Sequence, residues 1–463
     1  MIRIFNHYVS KMAFILLLLE LVMLLASASV ASAIWVSDGQ GHFRPDNLYL
    51  SSLTFALVII FSMSALGMYQ HSSKEGLRTT LFRIMPSFAL GFALLSALIA
   101  VRPEVYFGRG VSSAIFAVGA TGVVLTRLLV FKSAESALLE ARLIFIGGGP
   151  MARECIDLAF RKLGFHQFKV VGCVPVAGEE NVVPDSYLLP MGESLLMMAQ
   201  KYEASEIVVT LNNRRGSAFP IEQLLECALG GVRVIDAATF FEREANQIRL
   251  DSLQPSYLIF GGGFDQSFRR AAIKRSFDLL ASFVISVASL PLMLAAAVAI
   301  FIEDGGPVFY QQERVGRNGR VFRVLKFRSM RKDAEQCGQP VWASANDPRV
   351  TRVGRILRTL RIDELPQVLN VFKGDMSFVG PRPERAYFVN QLIATVPYYN
   401  VRHGIKPGVT GLAQVRYQYG SSTDDAIQKL QYDLYYVKNN SLFLDLLILI
   451  DTVQVVLLGK GSR

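Results

Sequence analysis

The sequence predicts a membrane protein in three parts: an N-terminal bundle of four transmembrane helices, a doubly wound α/β module, and a mostly helical C-terminal domain with a re-entrant membrane helix. Three observations predict this. Four apolar stretches, roughly 13–34, 52–69, 85–101 and 111–131, fill the first 135 residues. From residue 142, short apolar runs alternate with helical segments. A further apolar stretch at 276–302 has basic residues at both ends and Pro291 near its centre.

Composition agrees. The 463 residues exceed what one core holds, so two or three domains are expected. Hydrophobic residues make up 51% and charged residues 19%, which excludes a disordered chain and argues against a purely soluble enzyme. The 48 basic and 38 acidic residues give a net charge of +10. In an apolar chain this points to anionic lipid or phosphate-bearing substrates rather than nucleic acid. Cys155, Cys173, Cys227 and Cys337 form no CxxC pair and read as reduced thiols, not a disulfide or zinc framework. The five histidines are equally scattered.

Each of the four N-terminal stretches is long enough to cross a hydrocarbon layer of about 30 Å as a helix. The first also has the basic start and small-residue SASVASA end of a signal peptide; Glu20 within it and the three spans that follow favour a retained helix. Lys74, Arg78 and Arg83 lie in 70–84, and Arg127, Lys132 and Arg142 surround the exit of the fourth span. The loop at 36–50 holds only Arg44. This bias places both ends of the bundle (1–135), and all that follows, in the cytoplasm.

In the second part (142–236), RLIFIGGGPMA reads as a strand, a glycine turn and a helix start, with Gly147, Gly149 and Ala152 in GxGxxA spacing. FKVVGCV, EIVVTL and VRVID supply three more buried strands, giving a Rossmann-like module. Such glycines let a diphosphate approach a helix N-terminus, or simply make a tight turn. Glu179 and Glu180 fall several residues late for the acidic residue that would hold a ribose. No tyrosine has a lysine four residues on, which argues against a dehydrogenase or dehydratase relay. Residues 237–267, with FGGG at 260–263, read as a connector.

The C-terminal domain (268–463) opens with the apolar stretch 276–302. Arg269, Arg270, Lys274 and Arg275 precede it; residues 313–332 behind it carry eight Lys or Arg against Glu313 alone. Two basic flanks belong on one face of the membrane, and Pro291 supplies the break that lets a helix enter and return. The run 441–459 contains Asp445 and Asp451, so it reads as an interfacial helix and not a span.

Chemistry concentrates between 305 and 415. Aromatic and aliphatic residues alternate with arginines up to Lys326 and Arg328. Asp363 and Glu364 then follow a helix bearing Arg352, Arg355, Arg358 and Arg361. An isolated Asp–Glu pair is ordinarily a solvated helix face. Among so many cations, on a domain held against a membrane, it suits an anionic phosphate substrate and a divalent metal. Arg and Lys neutralise phosphate oxygens, Mg²⁺ takes carboxylate and phosphate ligands, and a carboxylate can attack phosphorus.

KRSFDLL, VFYQQERVGRNGRVFRVLKFRSM, DELPQVLNVFKGDMSFVGPRPE and IKPGVTGLAQV, in this order over about 268–461, resemble the bacterial sugar transferase family. These are the polyprenyl-phosphate hexose-1-phosphate transferases, or monotopic phosphoglycosyl transferases. The four spans and α/β module resemble, in architecture only, the long form that initiates exopolysaccharide or O-antigen (lipopolysaccharide) synthesis. The resemblance implies a multi-pass enzyme of the bacterial inner membrane with its catalytic domain on the cytoplasmic face. It would transfer a hexose 1-phosphate from a UDP-sugar to undecaprenyl phosphate and release UMP. Asp363 would be the nucleophile of an aspartyl-phosphosugar intermediate, and Glu364 would hold Mg²⁺. Lys326, Arg328 and Arg358 would steady phosphate groups. Arg382 and Glu384, in and after the PRP turn, would shape the nucleotide pocket, and Lys406, opening KPGVTG, would form another wall. Relatives often carry Ser-Pro at the helix break; here Leu290 precedes Pro291 and Ser289 stands one further back. His403, just before KPGVTG, reads as a structural histidine. The expected partners are undecaprenyl phosphate, a UDP-sugar, membrane lipid and a second copy in a homodimer, with no nucleic acid. Two other readings remain: a non-catalytic scaffold of a polysaccharide assembly, and a membrane-tethered nucleotide-sugar dehydratase.

Overall fold

The computed structural model describes residues 1–37, 48–69, 77–107, 109–134, 141–161, 168–176, 178–190, 192–211, 219–251, 253, 264, 267–332, 347–417 and 422–457. Arg44, Lys74, the FGGG at 260–263 and Cys337 lie outside them. The chain divides into two compact units that meet in sequence at Ala245 and Asn246.

After a short strand pair, Ile2–Ile4 and His7–Val9, come four helices of the first unit, α1 (Lys11–Ser37), α2 (Leu48–Ala65), α3 (Leu77–Val101) and α4 (Arg109–Ala134). Leu24, Phe55, Ile59, Met63, Ile115 and Val123 fill their shared interior, while Leu57, Phe61, Phe82, Phe92 and Leu129 point outward. Apolar side chains on the outside as well as the inside fit a membrane protein. By length and composition, these four helices and one in the second unit could each cross a bilayer. Gly119 makes room where α4 meets Leu24 and Phe55.

Two charges sit inside this bundle. Arg127 donates from Nε to Glu20 Oε1 at 2.7 Å and from Nη2 to Glu20 Oε2 at 3.2 Å, and the Tyr69 hydroxyl donates to the same carboxylate. Arg127 is therefore not one of the flanking loop charges that the sequence reading counted. It is 1% exposed and neutralises a glutamate on the facing helix.

The α/β module contains β1 (Ala141–Ile146), α5 (Pro150–Arg161), β2 (Phe168–Val174), α6 (Leu195–Lys201), β3 (Glu206–Val209), α7 (Ile221–Leu229), β4 (Arg233–Asp236) and α8 (Ala237–Ala245). The sheet is parallel, in the order β2-β1-β3-β4. α5 and α8 cover one face through Met151, Ile156, Phe240 and Phe241; α6 and α7 cover the other through Leu195, Met198 and Leu224. α8 lies in the stretch read as a connector, and buried Arg243 binds it to β3 through Glu206 at 2.8 Å. Cys155, Cys173 and Cys227 are buried free thiols.

The second unit holds α9 (Phe268–Asp304), the antiparallel hairpin β5 (Phe309–Val315) and β6 (Val321–Phe327), α10 (Arg352–Thr359), α11 (Gln367–Lys373), β7 (Ser377–Val379), α12 (Ala386–Thr395), β8 (Gly408–Thr410), α13 (Leu412–Arg416), α14 (Thr423–Asn439) and α15 (Leu442–Leu457). Its main core joins Ile248 and Leu253 with Val315, Val371, Phe378, Leu434 and Leu444. Both aspartates of α15 face this core. Asp445 receives Lys274 Nζ at 2.6 Å and the Tyr436 hydroxyl; Asp451 pairs with Arg416 at 3.0 Å.

Candidate active site

Local sequence builds the site in three pieces. The first is β6, whose alternation brings Lys326 to one face. The Asn370 amide clamps this strand to α11, accepting from Leu325 N at 2.9 Å and donating to Arg323 O at 2.7 Å. Both bonds hold main-chain groups of β6, so Lys326 is held against the helix that follows the Asp–Glu pair.

The second piece is the turn between α10 and α11. Thr351 caps α10, its hydroxyl accepting from Gly354 N at 2.9 Å. Gly354 lies so close to strand exit that a Cβ there would sit 2.0 Å from Ser329 O. Arg361 takes φ +58°, in the left-handed region, and ends the helix. A single 3₁₀ turn, Ile362–Glu364, then presents both carboxylates before Pro366 opens α11.

The third piece is the PRP turn. β7 pairs in parallel with β8, Gly408 opposite Ser377 and Thr410 opposite Val379. A Cβ on Gly380 would meet Lys406 O at 2.5 Å, and one on Gly408 would meet Gly380 N at 2.1 Å. The glycines of SFVGPRPE and KPGVTG are thus one close backbone contact, which fixes where Pro381–Arg382–Pro383 emerges. Arg402 holds the turn from behind: Nη2 donates to Arg382 O at 2.9 Å, Nη1 to the Tyr399 hydroxyl at 2.9 Å, and Nε to buried Asp433 at 3.0 Å.

The three pieces converge on Glu364. Its Oε1 receives Lys326 Nζ at 2.8 Å and Arg382 Nη2 at 3.2 Å, and Arg361 stands 3.9 Å from Oε2. Burial alone would raise the Glu364 pKa; Lys326 and Arg382 outweigh it and hold the carboxyl well below its usual range, fully ionised. Asp363, 8% exposed, goes the other way: burial and then the Glu364 charge raise its pKa, against the pull of Lys326 and Arg358.

The remaining predicted residues are dispersed. Arg358 lies in the last turn of α10, close enough to bear on Asp363. Arg328 is buried elsewhere, donating to Asp304 O and Gly305 O and pairing with Asp304 Oδ2 at 3.2 Å. Glu384 pairs with Arg314 and lines a cavity of about 550 Å³ with Tyr399, Arg402, Lys429 and Asp433. Lys406 stands beside Arg275 and Gly374. His403 is buried, its Nδ1 3.2 Å from Asn400 Oδ1, with its pKa lowered to about 4 by burial and then by Arg402. Pro291 lies within α9. Sequence reasoning missed three supports: Asn370, the Arg402–Asp433 pair, and Arg361 as a ligand of Glu364. Only Arg361 left a trace, an Arg three residues before a Glu.

Among the described residues, no three His, Cys, Asp or Glu side chains gather as a metal cage. The donor chemistry nevertheless fits Mg²⁺, which keeps waters and takes one or two carboxylates plus substrate phosphates. Ionised Glu364, with Asp363 beside it, is such a set.

In the α/β module the glycine turn is already engaged. Gly148 N donates to Glu179 Oε2 at 3.0 Å, and a Cβ on Gly149 would lie 2.5 Å from Glu179 Oε1. The glutamate that sequence placed too late for a ribose folds back onto the turn where a diphosphate would lie.

Fold and site together define a membrane protein with an α/β module and a helical domain whose carboxylate pair is ringed by cations. The bacterial sugar transferase family model matches residues 269–459. The UDP-N-acetylgalactosamine-undecaprenyl-phosphate N-acetylgalactosaminephosphotransferase of Aeromonas hydrophila is 45% identical over 240 residues, 52% of this chain and 56% of that protein. The UDP-glucose:undecaprenyl-phosphate glucose-1-phosphate transferase of Klebsiella pneumoniae is 30% identical over 331 residues, 70% of this chain and 69% of that one. The exopolysaccharide production protein PSS of Rhizobium leguminosarum bv. phaseoli is 40% identical over 198 residues, 41% of this chain and 98% of its own length. The chain belongs to the bacterial sugar transferase family. It spans just over half the length of the Aeromonas relative.

Proposed function

We propose that the chain transfers a sugar 1-phosphate from a UDP-sugar to undecaprenyl phosphate, opening exopolysaccharide or O-antigen synthesis at the cytoplasmic face of the inner membrane. The observation that carries this is the divided state of the pair: Glu364 fixed as an anion by Lys326 and Arg382, and Asp363 buried beside it with a raised pKa. A desolvated carboxylate is the more reactive nucleophile, and a permanently ionised one is a metal ligand. Asp363 Oδ attacks the sugar-linked phosphorus, the bond to the UMP oxygen breaks, and UMP leaves with its electron pair. An oxygen of undecaprenyl phosphate then attacks the aspartyl phosphorus and returns Asp363. Mg²⁺ held by Glu364 would supply charge neutralisation of the diphosphate. Lys326 and Arg382 would turn from Glu364 to phosphate oxygens. The relatives' names span glucose, galactose and N-acetylgalactosamine, so those sugars form the panel to test.

The same reading takes α9 as re-entrant. A straight helix of its 37 residues would be about 55 Å long. Both of its ends are nonetheless tied to the same unit. At the start, Arg275 donates to Val371 O and Phe372 O at 2.7 Å, and Asp278 accepts from Ser377 Oγ and Phe378 N. At the end, Glu303 accepts from Arg352 N and Val353 N. Between them Phe283, Val284, Val287, Leu290 and Leu294 are exposed. Pro291 and Ser289, whose hydroxyl donates to Ile285 O at 2.6 Å, are the groups that bend a helix. On α15, Leu446, Val453 and Val456 face outward and suit the interface.

The test is UMP release by nanodisc-embedded protein with undecaprenyl phosphate, Mg²⁺ and the UDP-sugar panel. Lipid-dependent release that Asp363→Asn abolishes supports the reading. Full activity in that variant sinks the nucleophile assignment.

A further inference from the structure

A second cationic notch lies outside the Glu364 cluster. Gly374 ends α11 with φ +93°, and a Cβ built on it would stand 3.4 Å from Lys406 Nζ and 3.5 Å from Arg275 Nη2. Two cations therefore converge on the space that glycine leaves free. Arg275 already covers the carbonyl end of α11 through Val371 O and Phe372 O, so an anion there meets a guanidinium and not bare carbonyls. Lys406 is half-buried and has no hydrogen bond or ion pair among the described residues. Burial, and next the Arg275 charge, lower its pKa; Arg317 adds to the positive field, and Asp278 and Asp375 oppose it. Asp278 is spent on Ser377 and Phe378.

The notch stands at a boundary. Arg275 is the last cation before the apolar length of α9 begins, and Phe268, Ile273 and Leu280 nearby are exposed apolar side chains. A side chain pair at that level meets phosphates carried by lipids. We infer that Lys406 and Arg275, across Gly374, form a binding site for a phosphate group carried on a lipid. The inference rests on the transferase reading only in making undecaprenyl phosphate the first lipid to try. It gives Lys406 a role on the lipid side, not in the nucleotide pocket.

The test is native mass spectrometry of the full chain in neutral detergent, titrated with undecaprenyl phosphate, undecaprenol, phosphatidylglycerol or inorganic phosphate. Undecaprenyl phosphate should bind more tightly than undecaprenol. Lys406→Gln should weaken it about tenfold, as for one lost charged hydrogen bond, and Lys406→Arg should restore it. A preference for undecaprenyl phosphate over phosphatidylglycerol supports the acceptor as occupant; equal, Lys406-dependent binding of both supports the site with bulk phospholipid in it. Displacement by equimolar inorganic phosphate overturns the lipid assignment, and binding unchanged in Lys406→Gln overturns the site. UMP release separates the two proposals. Sugar transfer with lipid binding independent of Lys406 removes the notch alone; Lys406-dependent binding with no transfer from any UDP-sugar removes the transferase reading alone.

Discussion

The Arg402–Asp433 pair makes a prediction in which stability and activity part company. Arg402 is 6% exposed; it binds Asp433, Tyr399 and the carbonyl of Arg382, whose side chain reaches Glu364. Arg402→Met leaves the Asp433 carboxylate buried without its cation, a loss of about 3–5 kcal/mol for a broken buried pair. For a domain of this size that lowers Tm by roughly 6–20 °C. Asp433→Leu strands the guanidinium and should cost a similar amount. The double variant buries no unpaired charge, so its loss should fall short of the sum by about 2–3 kcal/mol. Activity should not recover with it. Both variants lacking Arg402 have lost the donor to Arg382 O, and kcat/KM for the UDP-sugar should drop about tenfold in each, the equivalent of one hydrogen bond of about 1.4 kcal/mol. Scanning fluorimetry and UMP release on the four proteins close the cycle. Additive losses would refute the pairing; a double variant as active as the native chain would refute the role assigned to Arg402 in holding the PRP turn.

Other outcomes follow from the same geometry. Asp363 must be ionised to attack, and its pKa is raised, so the acid limb of the UMP-release profile should lie above the ordinary carboxylate pKa of about 3.9. Arg358 pulls that pKa down, so Arg358→Gln should move the limb to higher pH; movement downward would contradict the assignment. Glu364 has a depressed pKa, so the stability it contributes is present above the usual carboxylate range and lost as pH falls below it; Glu364→Gln should flatten acid unfolding there, followed by fluorescence. Gly408→Ala drives a Cβ into the Gly380 backbone at 2.1 Å and should cost at least the roughly 1–3 kcal/mol of ordinary overpacking, read as a lower Tm and lost UMP release. In the α/β module, Glu179→Ala frees Gly148 N and should bind NAD more tightly than the native chain by calorimetry; equal binding would mean that Glu179 does not guard the turn.

How much of this was legible depends on whether the signal was a pattern or a partner. The parallel sheet was legible because buried strands are continuous apolar runs, and the long helices because their length matches a bilayer. The Asp–Glu pair stood out by its cationic setting. What failed was pairing across distance. Arg127 looked like a loop charge because its partner lies 107 residues away; Glu179 looked misplaced because it stands five positions past Val174, the end of β2, and yet reaches Gly148. KPGVTG was expected as a wall of the site; what its sequence did not show is that Gly408 serves the backbone contact that aims Arg382 and that Lys406 stands by Arg275. Arg328, three places beyond a residue clamped by Asn370, was expected to steady phosphate, and the structure turns its Nη2 to the end of α9, at Asp304 and Gly305.

These misreadings share one physical cause, and it bears on how the membrane segments are judged. Asp445 and Asp451 weighed against a C-terminal span, and for an interfacial helix, because a bare carboxylate in hydrocarbon is costly. That cost belongs to an unpaired charge. Lys274 and Arg416 neutralise the two from inside the domain, while Leu446, Val453 and Val456 point out, so the helix presents an apolar surface despite its sequence. Glu20 follows the same rule with Arg127 in the N-terminal bundle. An acidic residue in an apolar run is therefore weak evidence against contact with lipid until its partner is known. Lys274→Gln puts this to work: with Asp445 left without its cation, the full chain should lose thermal stability, whereas Lys274→Gln with Asp445→Asn should regain most of it. A double variant no more stable than the single would show that the pair is not what keeps that charge tolerable, and the case for α15 at the interface would go with it.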